Sequence, residues 1–304
     1  MRRPATAPAG LGRVRLRRPV ASTGTLRGAT AATLGLLWLV VTTGALVRLT
    51  ASGLGCPHWP TCDADRLLPA GSYHAVIEFT NRTISGVAML SAVLTAAIAY
   101  RVRGRDAVTT ATAIAAAGTV AQVPLGAVTV AFDLNPILVM SHFLLAMAVV
   151  VFATWATVMV WRPRRQPVRW TRPAFLAWGA AAACLVLVTT GAFVTAAGPH
   201  PGSTSTPIER LGDFYWATWV HVRAAAAFGI LFAALAVWLW RHPGDRLARR
   251  LVALGIALTA VQYAVGEYQY RNGLPWQVIA VHVALAATLL VTVVAAAAVV
   301  DDGG

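Results

Sequence analysis

The chain contains no lysine and few charged residues of any kind. Charged side chains make up 12% of its 304 residues, whereas hydrophobic side chains make up 58%, and the mean hydropathy is +0.65. Only 11 residues are acidic, and no stretch has the length and polarity of a separate soluble domain. This composition excludes an ordinary soluble protein and indicates a chain built to lie in lipid.

Long apolar runs recur along the whole sequence. Eight of them reach about 20 residues or more, which is enough to cross a hydrocarbon layer of ~30 Å as a helix. They cover 29–50, 73–100, 107–131, 136–161, 173–197, 214–240, 248–269 and 276–300. The sequence therefore predicts an all-α membrane protein with eight transmembrane helices.

All 25 basic residues are arginine, and most of them lie in alternate connecting segments. Seven precede the first predicted helix, three lie in 101–105, five in 162–172 and four in 241–250. Cytoplasmic segments of membrane proteins carry the excess of positive charge, so both termini are predicted to be cytoplasmic. We expect these segments to contact anionic lipid and not nucleic acid. The use of arginine without lysine and the frequent alanine are typical of a high-GC bacterium. We therefore predict that the chain lies in a bacterial cell membrane.

The two halves of the sequence match each other at a fixed offset. Polar or small residues inside the apolar runs recur 140 positions later, as Gln122 and Gln262, Gly126 and Gly266, His142 and His282, and Asn81 and His221. At an offset of 147, segment 41–45 (VTTGA) recurs as 188–192. Four spans per half insert both halves in the same orientation. The repeat therefore predicts two four-helix bundles related by a pseudo-twofold axis along the membrane normal.

The repeat also sets the predicted boundaries. They are a basic cytoplasmic tail (1–28), an N-terminal four-helix half (29–161), a cytoplasmic linker (162–172) and a C-terminal four-helix half (173–300). The C-terminal half keeps a histidine at both repeated positions, His221 and His282. Two imidazoles that face each other across a bundle can hold a six-coordinate haem, and such residues are costly in lipid. The alternative interpretation is that each histidine only forms a hydrogen bond to a backbone carbonyl or to ordered water. The duplication of the pair argues against this interpretation.

The N-terminal half differs at one position of the pair. His142 is kept, but Asn81 replaces the second histidine, and Glu78 lies one turn away on the same helical face. The symmetric half thus suits a fixed cofactor, and the asymmetric half suits chemistry. His74 lies two turns from Asn81 and is a poor substitute for the missing ligand, unless a tilted haem or a shifted helix recruits it.

Two arginines near the outer helix ends, Arg82 and Arg223, are predicted to bind haem propionates because the planar guanidinium suits carboxylates. Arg82 has a structural alternative, which is an ion pair with Glu78 one turn away. In the loop after the first helix, Cys56 and Cys62 are separated by five residues, two of them proline. The loop is predicted to lie outside the cytoplasm, where disulfides persist, so we predict a disulfide. Zinc bound by both cysteines and His58 is the alternative.

Together these residues resemble the haem A synthase family, over about residues 29–299. The resemblance is carried by the segment 43–48 (TGALVR), the loop from Gly55 to Cys62, the segment 77–82 (IEFTNR), Gln122, Gly126, His142, Thr190, Gly191, His221 and His282. It implies that the C8 methyl group of haem O is oxidised to a formyl group, which gives haem A for aa-type terminal oxidases. It also implies a resident haem b on His221 and His282, haem O in the N-terminal half and a catalytic role for Glu78.

The chain departs from the family at Asn81, where better-known relatives have histidine. Bis-histidine ligation of the substrate haem therefore does not carry over, and His142 is expected to hold it with water, Asn81 or His74 on the other face. Successive hydroxylation to a gem-diol, which loses water, would give the aldehyde. Pathway logic suggests the farnesyltransferase that makes haem O, and terminal oxidase assembly factors, as partners.

Two other functional classes are compatible with parts of the sequence. A haem-b electron carrier would use the histidine pair, but it would not need Glu78 or the cysteine loop. A haem transporter or chaperone would use the duplication, but no predicted helix has a Gly/Pro gap at mid-membrane. Analysis of the haem product separates these classes from a synthase.

Overall fold

The computed structural model describes residues 22–56, 58, 61–62, 68–69, 71–162, 171–242 and 244–302. Within these ranges the chain forms eight helices and no strand. The helices are α1 (Thr23–Leu49), α2 (Tyr73–Arg103), α3 (Ala107–Ala131), α4 (Pro136–Trp161), α5 (Arg172–Ala197), α6 (Phe214–Arg241), α7 (Arg246–Arg271) and α8 (Trp276–Asp302). The all-α prediction with eight helices is confirmed.

The first helix begins earlier than its hydropathy predicts. Residues 23–28 belong to α1, because Ser22 caps it by accepting a hydrogen bond from the Thr25 amide. Residues 1–21 of the predicted basic tail, and residues 163–170 of the predicted linker, lie outside the described residues. Most other helices also begin at a polar cap, namely Ser72, Asp106, Asn135, Thr171, Asp213 and Asp245.

Every helix in the described part of the chain is long and apolar enough to cross a membrane, with spans of 25 to 31 residues. The outward faces carry large apolar side chains, among them Leu90, Ile230 and Tyr263, which are 58%, 71% and 73% exposed. Such faces would be unfavourable in water and are satisfied by lipid tails.

The helices form two rings. Helices α1 to α4 each contact the next, and α4 returns to α1; α5 to α8 repeat this arrangement. The rings meet where α8 contacts α1 and α4, and where α4 contacts α5. Exchanging the two rings maps this set of contacts onto itself, as the sequence repeat predicts. The pseudo-twofold axis itself stays a prediction.

Hydrogen bonds connect the two rings. Trp38 on α1 donates through its indole nitrogen to the Thr288 hydroxyl on α8, at 3.0 Å. Arg48 on α1 donates to the Thr195 carbonyl on α5, at 2.6 Å, and these two residues are matched at the offset of 147. Arg210, in the loop after α5, donates to the same carbonyl at 2.8 Å. Burial lowers the pKa of the Arg210 guanidinium. The bonds of Trp38 and Arg48 thus connect α1 to both α8 and α5 of the other ring.

Candidate functional site

The repeated histidines of the C-terminal half lie against glycines of the preceding helices. A Cβ atom added to Gly191 on α5 would lie 3.0 Å from the ring of His221, and one added to Gly266 on α7 would lie 3.3 Å from the ring of His282. Both imidazoles are half-buried. The glycines therefore create the room that lets α6 and α8 turn their imidazoles toward neighbouring helices.

A hydroxyl group orients one of these two rings. Nδ1 of His221 lies 3.0 Å from Oγ1 of Thr190, and the hydroxyl in turn bonds to the Leu187 carbonyl at 2.9 Å. The contact holds the imidazole through Nδ1, and Nε2 forms no hydrogen bond to a described protein group. A ring nitrogen held by such a hydrogen bond is typical of histidines whose other nitrogen binds a metal.

The N-terminal half has the same framework with one substitution. A Cβ atom added to Gly126 on α3 would lie 3.4 Å from the His142 ring, and one added to Gly44 on α1 would lie 3.9 Å from Oδ1 of Asn81. The Thr43 hydroxyl donates to that oxygen at 2.8 Å. Thr43 and Gly44 thus hold Asn81 as the matched residues of α5 hold its histidine counterpart.

Several buried polar atoms near the repeated histidines have no hydrogen-bond partner among the described residues. They are Nδ1 of His142 and His282 and Oε1 of Gln122 and Gln262. The Gln122 amide nitrogen donates to the His142 carbonyl at 3.0 Å, so its oxygen is held in place. In both imidazole rings Nδ1 lies on the side that packs on the glycine, as Nδ1 of His221 lies on the side of Thr190 and Gly191, so Nε2 is the nitrogen of each ring that is available to a bound group. The donor set, imidazole with no acidic ligand, suits haem iron.

Glu78 is the buried carboxylate of the N-terminal half, with 4% of its surface exposed. The backbone amide of Cys56 donates to its Oε2 at 2.8 Å, and Arg82 donates to its Oε1 at 2.5 Å. The ion pair with Arg82, considered from the sequence as an alternative, is therefore present. Arg82 also donates to the carbonyls of His58 and Thr61, at 2.8 and 3.2 Å. Glu78 and Arg82 thus attach the loop that follows α1, which contains Cys56, His58 and Thr61, to α2.

The outer loop is closed by a disulfide between Cys56 and Cys62, as predicted. Both cysteines are 1% exposed and pack with Ala75 and Phe79 of α2. The zinc site considered from the sequence needs both cysteines as free thiolates, and the bond consumes them. Within the part of the chain that the structure describes, no group of three or more His, Cys, Asp or Glu residues could hold a metal ion by itself.

Gly55 sets how closely this loop approaches α2. A Cβ atom added there would lie 2.6 Å from the backbone carbonyl of His74, a distance that real Cβ atoms do not adopt. We expect Gly55→Ala to destabilise the folded protein by about 1–3 kcal/mol, because the α2 backbone cannot yield as a side chain would. The matched control is Gly86→Ala on α2, the helix that Gly55 approaches, because a Cβ atom added at Gly86 meets no atom within 4 Å. Thermal unfolding in detergent compares the two; equal melting temperatures would contradict close docking.

The remaining predicted site residues, His74 and Arg223, contact other protein groups. His74 is exposed, and its Nδ1 lies 2.9 Å from the hydroxyl of buried Ser52. The guanidinium of Arg223 stacks 3.3 Å above the Trp219 ring centroid and donates to the Trp219 carbonyl at 3.1 Å. The predicted haem contacts of His74, Arg82 and Arg223 stay predictions.

Sequence reasoning did not assign a structural role to the threonine and glycine of α1 and α5. Thr43 and Thr190 bond the residues that occupy matched positions on α2 and α6. The signal was present in the VTTGA repeat at 41–45 and 188–192, which was interpreted only as a sign of duplication and of family resemblance.

Comparisons with known proteins agree with this arrangement. The family model described as cytochrome oxidase assembly protein (COX15-CtaA) matches residues 29–75 and 68–200. The heme A synthase of Symbiobacterium thermophilum is 29% identical over 264 residues, which are 79% of this chain and 84% of that protein. The heme A synthase of Geobacillus thermodenitrificans is 31% identical over 131 residues, 43% of this chain and 41% of that protein.

A shorter segment of the chain is similar to part of a farnesyltransferase. The protoheme IX farnesyltransferase of Thermus thermophilus is 51% identical over 59 residues, which are 18% of this chain. The match spans 10% of that protein, and the match to the Geobacillus relative spans 41% of its length. These two matches thus cover well under two thirds of the relatives concerned.

Proposed function

Because the chain belongs to the cytochrome oxidase assembly protein family, we propose that it is a haem A synthase, a membrane oxidoreductase that converts haem O to haem A. The observation that carries this proposal is the broken symmetry of its two halves. One half has a glycine-packed pair of imidazoles, and the other has a single imidazole with an amide and a buried carboxylate. A fixed cofactor needs the first arrangement, and a reacting haem suits the second.

The C-terminal half, 173–300, is proposed to hold a resident haem b. His221 and His282 would hold its iron through their Nε2 atoms, and Thr190 would keep the first ring in its orientation through Nδ1. When bound, this haem supplies one-electron redox chemistry, while the protein supplies position and a low-dielectric surrounding. Arg223 is available at the outer end of α6 for a propionate.

The N-terminal half, 29–161, is proposed to bind haem O as substrate. His142 would ligate its iron from α4, and the close packing on Gly126 fixes the direction of that imidazole. The reacting methyl group lies on the porphyrin edge, so the main task of the surrounding residues is to orient that edge. Two successive hydroxylations would each replace a C–H bond by a C–OH bond and remove two electrons, which an external oxidant such as dioxygen must accept. Loss of one water from the resulting gem-diol would give the formyl group.

Glu78 is proposed to be the catalytic group at that edge. Its carboxylate is buried, and its two oxygens are held by the Cys56 amide and by Arg82, so it cannot turn away when charge develops. A fixed negative charge in a low-dielectric site stabilises a developing cation at the methyl carbon, and the same carboxylate can accept a proton from it. The disulfide loop would act here by holding the carboxylate.

The proposed setting of the reaction is a bacterial cell membrane. The chain is a multi-pass membrane protein, and its arginine distribution supports cytoplasmic termini. The disulfide loop would then lie outside the cytoplasm. Haem O would come from a farnesyltransferase, and a relative with that printed name shares a stretch of similar sequence. Haem A would pass to factors that assemble terminal oxidases.

Analysis of the haem content of the purified protein tests the proposal. The protein is expressed in a host that makes haem O, and its haem is extracted and resolved by chromatography and mass spectrometry. We expect haem A together with haem b. Haem b alone, beside untouched haem O and a folded protein, would contradict the synthase and favour an electron carrier. Haem O bound and released unaltered would favour a transporter or chaperone.

A further inference from the structure

Asn81 differs from its counterpart in the other half in its chemistry but not in its placement. We propose that Asn81 is a positioning residue that keeps the face of the substrate haem opposite His142 open and presents an amide N–H donor to a small ligand bound there. This proposal rests on the proposed function, because it assumes that His142 ligates haem O. It goes further by stating the coordination of that haem and the polarity of its open face.

The C-terminal half serves as an internal control for the geometry. His221 is bonded to a threonine and packed on the glycine that follows it in α5, with a Cβ-to-ring distance of 3.0 Å. Oδ1 of Asn81 lies 2.8 Å from the hydroxyl of the matched threonine, Thr43. A Cβ atom added to the matched glycine, Gly44, would lie 3.9 Å from the same oxygen. The side chains at the two positions therefore start from equivalent backbone sites and are held by equivalent neighbours.

An asparagine at this position cannot complete the haem as a histidine does. Its amide nitrogen is one bond closer to the backbone than Nε2 of histidine, and its lone pair is delocalised into the carbonyl. The iron ligand supplied by His221 in one half therefore has no equivalent in the other. The shorter side chain therefore ends before the iron, and a small ligand would occupy the position that the imidazole fills in the other half.

The hydrogen bond from Thr43 decides which end of the amide faces that position. The hydroxyl donates to Oδ1 of Asn81, so the amide is oriented with its oxygen toward α1. Among the described residues, Nδ2 of Asn81 donates no hydrogen bond to a protein group. A free N–H donor beside an open iron position favours ligands whose outer atom accepts a hydrogen bond, such as dioxygen, water or carbon monoxide.

Two neighbouring side chains that could fill the open position, those of His74 and Glu78, are already hydrogen-bonded elsewhere. His74 is exposed, and its ring is bonded to Ser52 on the loop side, two turns from Asn81. Both oxygens of Glu78 are engaged by the loop amide and by Arg82. The open face is therefore a consequence of one substitution, and it is not refilled from these two neighbours.

Carbon monoxide is the probe that tests this inference, because it binds ferrous haem only where a coordination position is open or weakly held. On the reduced, purified holoprotein we expect about one carbon monoxide for every two haems. Asn81→His should abolish this binding by completing a bis-imidazole haem. The reciprocal variant His221→Asn should open the other half, so that both haems bind carbon monoxide. Failure of the wild-type protein to bind, or binding by Asn81→His at the wild-type level, would overturn the open face.

A second variant tests the amide donor without adding a ligand. Asn81→Ala should still bind carbon monoxide, but its C–O stretching band should move to higher frequency, because the hydrogen bond that weakens the C–O bond is lost. An unchanged band would overturn the donor role. The haem extracted from the same samples separates the two proposals. Carbon monoxide binding as expected without haem A would refute the synthase alone, and haem A without carbon monoxide binding would refute the open face alone.

Discussion

Replacing Glu78 with glutamine should reduce haem A formation by about a hundredfold or more, the usual range for a lost acid–base group, while haem b stays bound. Glutamine has the same shape and still offers an oxygen to the Cys56 amide, so the loop keeps one of its two attachments. The negative charge beside the reacting edge is lost. Haem O should therefore accumulate in the protein, and the ratio of haem O to haem A in the extracted haem measures the effect.

The chain contains a matched control for this variant. Glu267 on α7 forms the same kind of ion pair with an arginine four residues later, Arg271, but it lies in the other half and its side chain is 41% exposed. Glu267→Gln also removes one negative charge from an ion pair between residues four positions apart on a helix. This variant should leave haem A at the wild-type level. A loss of haem A in both variants would point to a general effect of charge on folding or insertion.

A structural role of Glu78 predicts a different set of results. If it acts only by attaching the loop through Arg82, then Arg82→Gln should lower haem A as much as Glu78→Gln does. If it acts as the catalytic group, Arg82→Gln should retain more activity, because the carboxylate and its bond to the Cys56 amide remain. Haem A at the wild-type level in Glu78→Gln would show that the catalytic assignment is wrong.

The helices were predictable because lipid imposes one requirement on every span. A run of about 20 apolar residues has few alternatives to a transmembrane helix, and each predicted run corresponds to one observed helix. The main error was at the start of α1, where a serine cap and not hydropathy sets the boundary. The disulfide was predictable for a similar reason, since the two cysteines lie close in sequence in a segment assigned to an oxidising compartment.

The contacts that shape the site were less predictable. The bond from the Cys56 amide to Glu78 joins residues 22 positions apart across an irregular loop, and neither residue type implies the other. The approach of Gly55 to the α2 backbone depends on how that loop docks. By contrast, the threonine and glycine beside each matched residue were visible in the repeat. They lacked an interpretation because helix rotation, which decides what an imidazole faces, follows from packing between helices and not from periodicity alone.

Removing either imidazole of the proposed haem b pair should eliminate the low-spin b-type spectrum. His221→Ala and His282→Ala each leave one ligand, so we expect a high-spin five-coordinate haem or the loss of about one haem per protein, since a single axial ligand no longer gives the six-coordinate state. Optical spectra of the reduced protein, with the haem content measured on the same sample, follow both outcomes. His242→Ala is the control, because this exposed histidine bonds only the Trp238 carbonyl at the end of α6.

His142→Ala provides the complementary comparison in the N-terminal half. This variant should leave the low-spin spectrum intact, because His142 lies on α4, in the helix ring that does not contain His221 and His282. Haem O should no longer be retained. Loss of the low-spin signal in this variant, or its survival in both His221→Ala and His282→Ala, would move the resident haem to other ligands. The contrast between halves follows from one difference in the repeat. Where the repeated position is histidine, two ligands make a stable redox centre, and where it is Asn81, one ligand leaves an iron that can react.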